Sequence, residues 1–138
     1  MTRLAKCCCG KTQIEVSDEP AINCVCHCNN CKQRTGSAFG ISAYFRHDQF
    51  QIIKDSTNVY ELKNEQGKQQ RHFCQFCGST LFWYADCFNN YVGVAGGCFT
   101  DNPLPQPTYS CRIDNQSTWI LLPDSVNRPL TQTDMETH

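Results

Sequence analysis

Charge of one prevailing sign is missing from this chain of 138 residues: 12 lysines and arginines face 13 aspartates and glutamates, a formal net charge of -1. Binding to duplex DNA or RNA draws on a basic surface that displaces counterions from phosphates, so no nucleic-acid partner is expected. Long apolar runs are missing too. None nears the roughly 20 residues that cross a bilayer. Met1-Thr2-Arg3-Leu4-Ala5-Lys6 runs into cysteine without the apolar stretch of a signal peptide. The expectation is a cytoplasmic protein with no membrane contact. Methionine and tryptophan are scarce at 2 each, whereas cysteine reaches 12.

That cysteine density approaches a disulfide scaffold, but the placement argues for another use. Cys7, Cys8 and Cys9 are adjacent, and Cys26, Cys28 and Cys31 are too crowded for ordinary disulfide spacing. Where thiols stay reduced, this pattern is metal-binding or catalytic. Cysteines two to four residues apart can aim two sulfurs at one ion, which is how tetrahedral zinc is held. Cys7-Cys8-Cys9-Gly10, Cys26 to Cys31 and Cys74-Gln75-Phe76-Cys77-Gly78 together supply sulfur for two zinc ions.

Short stretches rich in β-branched and aromatic residues predict strands over 12–16, 41–45, 50–53, 59–62, 80–84, 91–95 and 119–122. One short helix is expected over 29–35, opened by an asparagine cap and stopped at Gly36. Residues 100–107 hold three prolines and read as an extended surface loop. The length suits one domain. It is placed over 3–125, with 126–138 a partly disordered tail.

Glycine placement sorts the cysteines. Gly10 and Gly78 each follow a cysteine, where freedom to adopt positive φ lets amides turn toward sulfur. Cys7, Cys9, Cys74 and Cys77 therefore read as one closed, structural site. Cys26 and Cys28 share one side of an extended segment, and Cys31 on a first helical turn can return to them. Three protein ligands leave a position open for chemistry. Two alternatives stand beside this: Cys24 has the parity to complete a second structural site, and His27 could be the fourth ligand although its side chain should face away. Cys8, Cys87, Cys98 and Cys111 read as small core residues.

Cys7 to Gly10, Cys26 to Phe39 and Phe73 to Thr80, with Asp101-Asn102-Pro103 and Trp119, resemble the glutathione-dependent formaldehyde-activating enzyme family, which also includes centromere protein V. The resemblance implies a mostly β fold, the β-tent, of coiled antiparallel sheets pinned by zinc. It implies the same sorting: structural zinc at Cys7, Cys9, Cys74 and Cys77, catalytic zinc at Cys26, Cys28 and Cys31. The implied activity is that of a carbon-sulfur lyase interconverting glutathione plus formaldehyde with S-hydroxymethylglutathione. A thiol with two carboxylates calls for cations near the metal, and Lys32, Arg34 and Arg46 are the nearest in sequence. Ala5-Lys6 stand where the family often has glycine, and Tyr109-Ser110-Cys111 where it often has histidine.

Two other functions fit the residues. A non-catalytic, zinc-stabilised module that binds a peptide or protein would have both sites closed. A methionine sulfoxide reductase-like redox enzyme would use a reactive cysteine outside the metal site, with Cys87, Cys98 and Cys111 as candidates.

Overall fold

The computed structural model describes residues 1–136. Its small sheet grows from the first cysteine cluster. β1 (Thr2–Lys6) and β2 (Gln13–Ser17) form an antiparallel hairpin that turns through Cys7 to Thr12. Arg3 and Ala5 on one strand and Ile14 and Val16 on the other are buried, the period of two expected when one face meets a core. β5 (Phe50–Lys54) pairs with β2 and completes the order β1-β2-β5.

The large sheet contains β3 (Ile22–Cys26), β4 (Gly40–Arg46), β6 (Thr57–Asn64), β7 (Gly67–Cys74), β8 (Thr80–Ala85), β9 (Tyr91–Ala95) and β10 (Tyr109–Cys111). Their order is β10-β3-β4-β9-β8-β7-β6, and every pair is antiparallel except β10 with β3. One face packs Ala43, Phe45, Leu81, Phe82, Val92 and Val94 against Ala5, Ile14 and Val16 of the small sheet. The mostly β, two-sheet architecture expected from the sequence is the one observed.

The other face carries the site. A cross-strand row runs Ile22, Tyr44, Gly93, Trp83, Arg71, Tyr60. Gly93 is required in it: a Cβ there would stand 2.1 Å from Trp83 Nε1, so the indole lies across bare backbone. Beside this row Ile22, Cys24, Tyr44, Tyr91 and Tyr109 form a second apolar cluster, with Leu130 and Met135 packed on it.

α1 (Asn29–Thr35) has the expected bounds and ends at Gly36, whose φ is 64°. Its cap differs from the expectation. Cys28 is the N-cap residue, and its sulfur accepts from the Cys31 amide at 3.3 Å. The strand expected over 119–122 is not formed. Trp119 and Leu121 are 73% and 90% exposed, and β propensity without a neighbouring strand edge makes no ladder. β1, β3, β7 and β10 are strands that the pattern did not reveal.

Residues 126–136, placed in the tail by composition, have partners in the structure. Val126 is buried, Ser110 bridges Pro129, and α2 (Gln132–Glu136) follows. Tyr91 donates its hydroxyl to Met135 O at 2.8 Å, and Asp134 accepts from the Thr131 amide at 3.0 Å. Residues 137–138 lie outside the described residues.

Candidate metal centres and the cavity beside them

None of the twelve cysteines is in a disulfide. Seven of them gather into two groups whose sulfurs lie within 4.8 Å of one another: Cys7, Cys9, Cys74 and Cys77, and separately Cys26, Cys28 and Cys31.

The outer group is built from two similar turns. Cys7 N donates to Thr12 O at 3.1 Å, and Cys74 N donates to Ser79 O at 2.9 Å, so each turn closes six residues. Gly10 and Gly78 sit inside them at φ 78° and 80°. Around the sulfurs, the Thr12 amide reaches Cys7 Sγ at 3.3 Å, and Cys77 Sγ lies 3.3 Å from Ser79 Oγ. Cys7 and Cys9 sulfurs are 3.7 Å apart, Cys9 and Cys74 sulfurs 3.6 Å. Four sulfurs about 2.3 Å from a tetrahedral ion stand about 3.8 Å apart, so this group has the size of a four-thiolate site.

The local field favours thiolates there. Ser79, through its hydroxyl and then its amide, brings the Cys77 thiol down to about 5 against the opposing effect of burial. Burial works to raise Cys74 as well, but the amides of Cys77 and Phe76 with the Cys9 and Thr12 side chains leave it lowered. At Cys9 the Lys11 amide pulls down, while burial and the neighbouring cysteines push up more, to about 11. A cation bound among the four sulfurs would displace the protons they carry.

The inner group lies where β3 passes into α1. Cys26 ends the strand, Cys28 caps the helix, and Cys31 stands on its first turn. Contact with the Cys26 and Cys31 thiols, helped by the amides of Cys31 and Asn30, brings Cys28 down to about 2. Cys26 is raised, most by Cys111 and then by Cys28. Cys31 is raised by Cys26 and Cys28. Three converging sulfurs are a donor set suited to a soft or borderline cation.

His27 points away from this group, as its parity predicts. It is buried against Phe39, and burial lowers its pKa. Cys24 is buried beneath the cluster, outside the group of three. Cys111, half-buried, packs against the second apolar cluster as expected, and it also faces Cys26 in the β10/β3 register and lines the same cavity. Cys8 and Cys87 are exposed, so the core reading fails for them, whereas Cys98 is half-buried and packs against the main core as expected.

Asn115 is a positioning residue that the sequence did not reveal. Its side-chain amide donates to His27 O and to Asn29 Oδ1, both at 2.8 Å. The three-residue strand before it and Arg112 at φ 56° bring it back over the cysteine loop. No spacing along the chain signals that return.

A cavity of about 690 Å³ opens beside the inner group, lined by Cys26, Cys28 and Cys31 and by Asn29, Tyr44, Arg71 and Cys111 among others. Lys32, Arg34 and Arg46 are not among its lining residues. Lys32 Nζ donates to Asn115 O at 2.7 Å, Arg34 stacks on Trp83 with its guanidinium 4.6 Å from the ring centre, and Arg46 pairs with Asp48 at the far end of β4.

Fold and donors define a mostly β protein equipped to hold metal through sulfur in two places. The comparison of its sequence with known families is more specific: the chain matches the glutathione-dependent formaldehyde-activating enzyme family over residues 2–115, and it belongs to that family. A crystal structure of a Rhodobacter sphaeroides protein shares the fold, with a TM-score of 0.57 and 21% identity over 70% of this chain and 87% of that one. No helix among the described residues is long and apolar enough to cross a membrane.

Proposed function

We propose that this protein is a zinc-dependent carbon-sulfur lyase that interconverts glutathione, or a similar low-molecular-weight thiol, plus formaldehyde with the S-hydroxymethyl adduct. Cys7, Cys9, Cys74 and Cys77 hold a structural zinc, and Cys26, Cys28 and Cys31 hold a catalytic one. The observation that carries this reading is the inner group itself: three sulfurs rather than four, open to a cavity of about 690 Å³. That volume falls within the range of small-molecule sites, roughly 300 to 1,000 Å³.

Zinc supplies a lowered thiol pKa, so that a thiolate is present near neutral pH. The chain does the rest by placement. Cys26, Cys28 and Cys31 would hold the ion at the wall of the cavity they line, and the Asn115 bonds fix the loop that carries them. In the forward direction the substrate sulfur attacks the aldehyde carbon, a carbon-sulfur bond forms, and the carbonyl electron pair moves to oxygen, which takes a proton from solvent. The reverse direction breaks the same bond and returns the proton.

Exchange spectroscopy on formaldehyde and glutathione tests this. The zinc-loaded protein is expected to speed adduct exchange above the spontaneous rate, and Cys28→Ser is expected to abolish the acceleration while leaving the circular dichroism unchanged. No acceleration by protein containing two zincs per chain would contradict the proposal.

A further inference from the structure

Among the described residues that line the cavity, Arg71 is the cation without an acidic partner. It stands on β7 between Tyr60 and Trp83 in the cross-strand row, is only 8% exposed, and lines the cavity with the inner cysteines. Its Nε donates to Gln69 Oε1 at 2.7 Å, which fixes the plane of the guanidinium. Among the described residues it forms no ion pair. Its two terminal nitrogens have no hydrogen-bond acceptor among the described residues and neither is fully enclosed, while the residue lines the cavity.

The neighbours sharpen its role. Arg34 rests on the ring of Trp83, the register partner of Arg71, so a second positive charge adds to the field of Arg71. Of the other lining cations, Arg112 is held by Asp114 at 3.1 Å and Lys68 lies 3.9 Å from Glu61. Glu65, in the exposed β6–β7 turn, is the one acidic residue lining the cavity among the described residues. Burying a guanidinium without a carboxylate is costly unless a ligand or nearby anion compensates it. Its planar fork matches a carboxylate through two parallel hydrogen bonds.

We infer that Arg71 is the carboxylate anchor of this cavity: it holds a carboxylate of an anionic thiol and so sets the reach of the thiol sulfur to Cys26, Cys28 and Cys31. The inference rests on the proposed site and names what selects its substrate. A competing role, plain counterion to the cysteine cluster, predicts that Arg71 matters equally for every thiol and for metal retention.

Calorimetry of the zinc-loaded protein separates the two with S-methylglutathione, which cannot supply a thiolate, and its diethyl ester, which lacks both carboxylates. Wild type is expected to bind the acid about tenfold or more tighter than the ester, the value of one charge-assisted hydrogen-bonded pair. Arg71→Gln should erase the difference with zinc content unchanged, and Arg71→Lys should keep part of it. With turnover as readout, Arg71→Gln should raise KM for glutathione by a similar factor, leave kcat alone, and leave KM for mercaptoethanol alone. Equal binding of acid and ester by wild type overturns the anchor, as does equal weakening of both by Arg71→Gln, or zinc loss with the discrimination kept. The wild-type comparison needs no variant that might misfold. It also needs no formaldehyde turnover, so acid selectivity without catalysis would sink the lyase proposal and leave the anchor standing.

Discussion

Replacing Cys74 should cost several times more stability than replacing Cys28, although both substitutions remove one sulfur from one cluster. Cys9 and Cys74 sulfurs meet at 3.6 Å across 65 residues of chain, and the turns that carry them belong to different sheets. A cross-link over a loop of that length lowers the entropy of the unfolded chain by about 4 kcal/mol at 25 °C. Cys26, Cys28 and Cys31 lie within one strand-to-helix junction, so metal there closes almost no loop. Serine at position 28 also remains a good helix cap, able to accept from the Cys31 amide in place of sulfur. Cys28→Ser should therefore lose no more than about 1 kcal/mol. At this size 1 kcal/mol moves Tm by roughly 3 to 5 °C. Thermal melts of zinc-loaded proteins should show Cys74→Ser about 12 to 20 °C below wild type and Cys28→Ser within about 5 °C of it. Equal losses for the two variants would refute the division into a stapling site and a working site.

Three further outcomes follow from the geometry. Gly93→Ala puts a methyl where Trp83 Nε1 already stands at 2.1 Å, so it should cost about 1 to 3 kcal/mol by denaturant titration and red-shift Trp83 emission. Trp119→Ala removes an exposed ring and should change stability by less than about 0.5 kcal/mol; the remaining emission should be blue and poorly quenched by iodide. The Asp134 carboxyl is held low, first by the Thr131 hydroxyl and amide and then by Arg128. A depressed acid stabilises the fold above its unfolded value and loses that effect as pH falls through its folded value. Asp134→Asn should thus lower the melting midpoint at neutral pH, and its deficit should begin to shrink near about pH 3.9 and be gone only once the pH lies below the depressed folded value.

Residues whose neighbours in sequence are their neighbours in space were legible without a structure. Cysteine spacing and the glycines at 10 and 78 pointed to the group of four that the structure brings together, and Gly36 marked the end of α1. Strands with alternating β-branched residues were visible for the same reason. β7 was not, because Lys68, Gln69, Gln70, Arg71 and His72 carry little β propensity, and its pairing with β6 and β8 is what makes it a strand. The anchor candidate sits on that strand, 40 residues from Cys31 in sequence, so chain proximity points to Lys32 and Arg34 instead. Cys111 and Asn115 reach the inner cluster through a crossover that ends in a parallel pair, a tertiary event with no local signal. Trp119 shows the converse: a good strand former stays exposed when no edge is available to it.

The central claim is that the inner metal keeps one position for a substrate sulfur while the outer metal is closed. Zinc K-edge spectroscopy of protein holding two zincs, recorded with and without glutathione, tests it most directly. The average is expected to rise from about 3.5 to about 4 sulfurs per zinc when glutathione is added, and the rise should be absent in Cys28→Ser. Four sulfurs per zinc before any thiol is added, or a spectrum that glutathione leaves unchanged, would contradict the account.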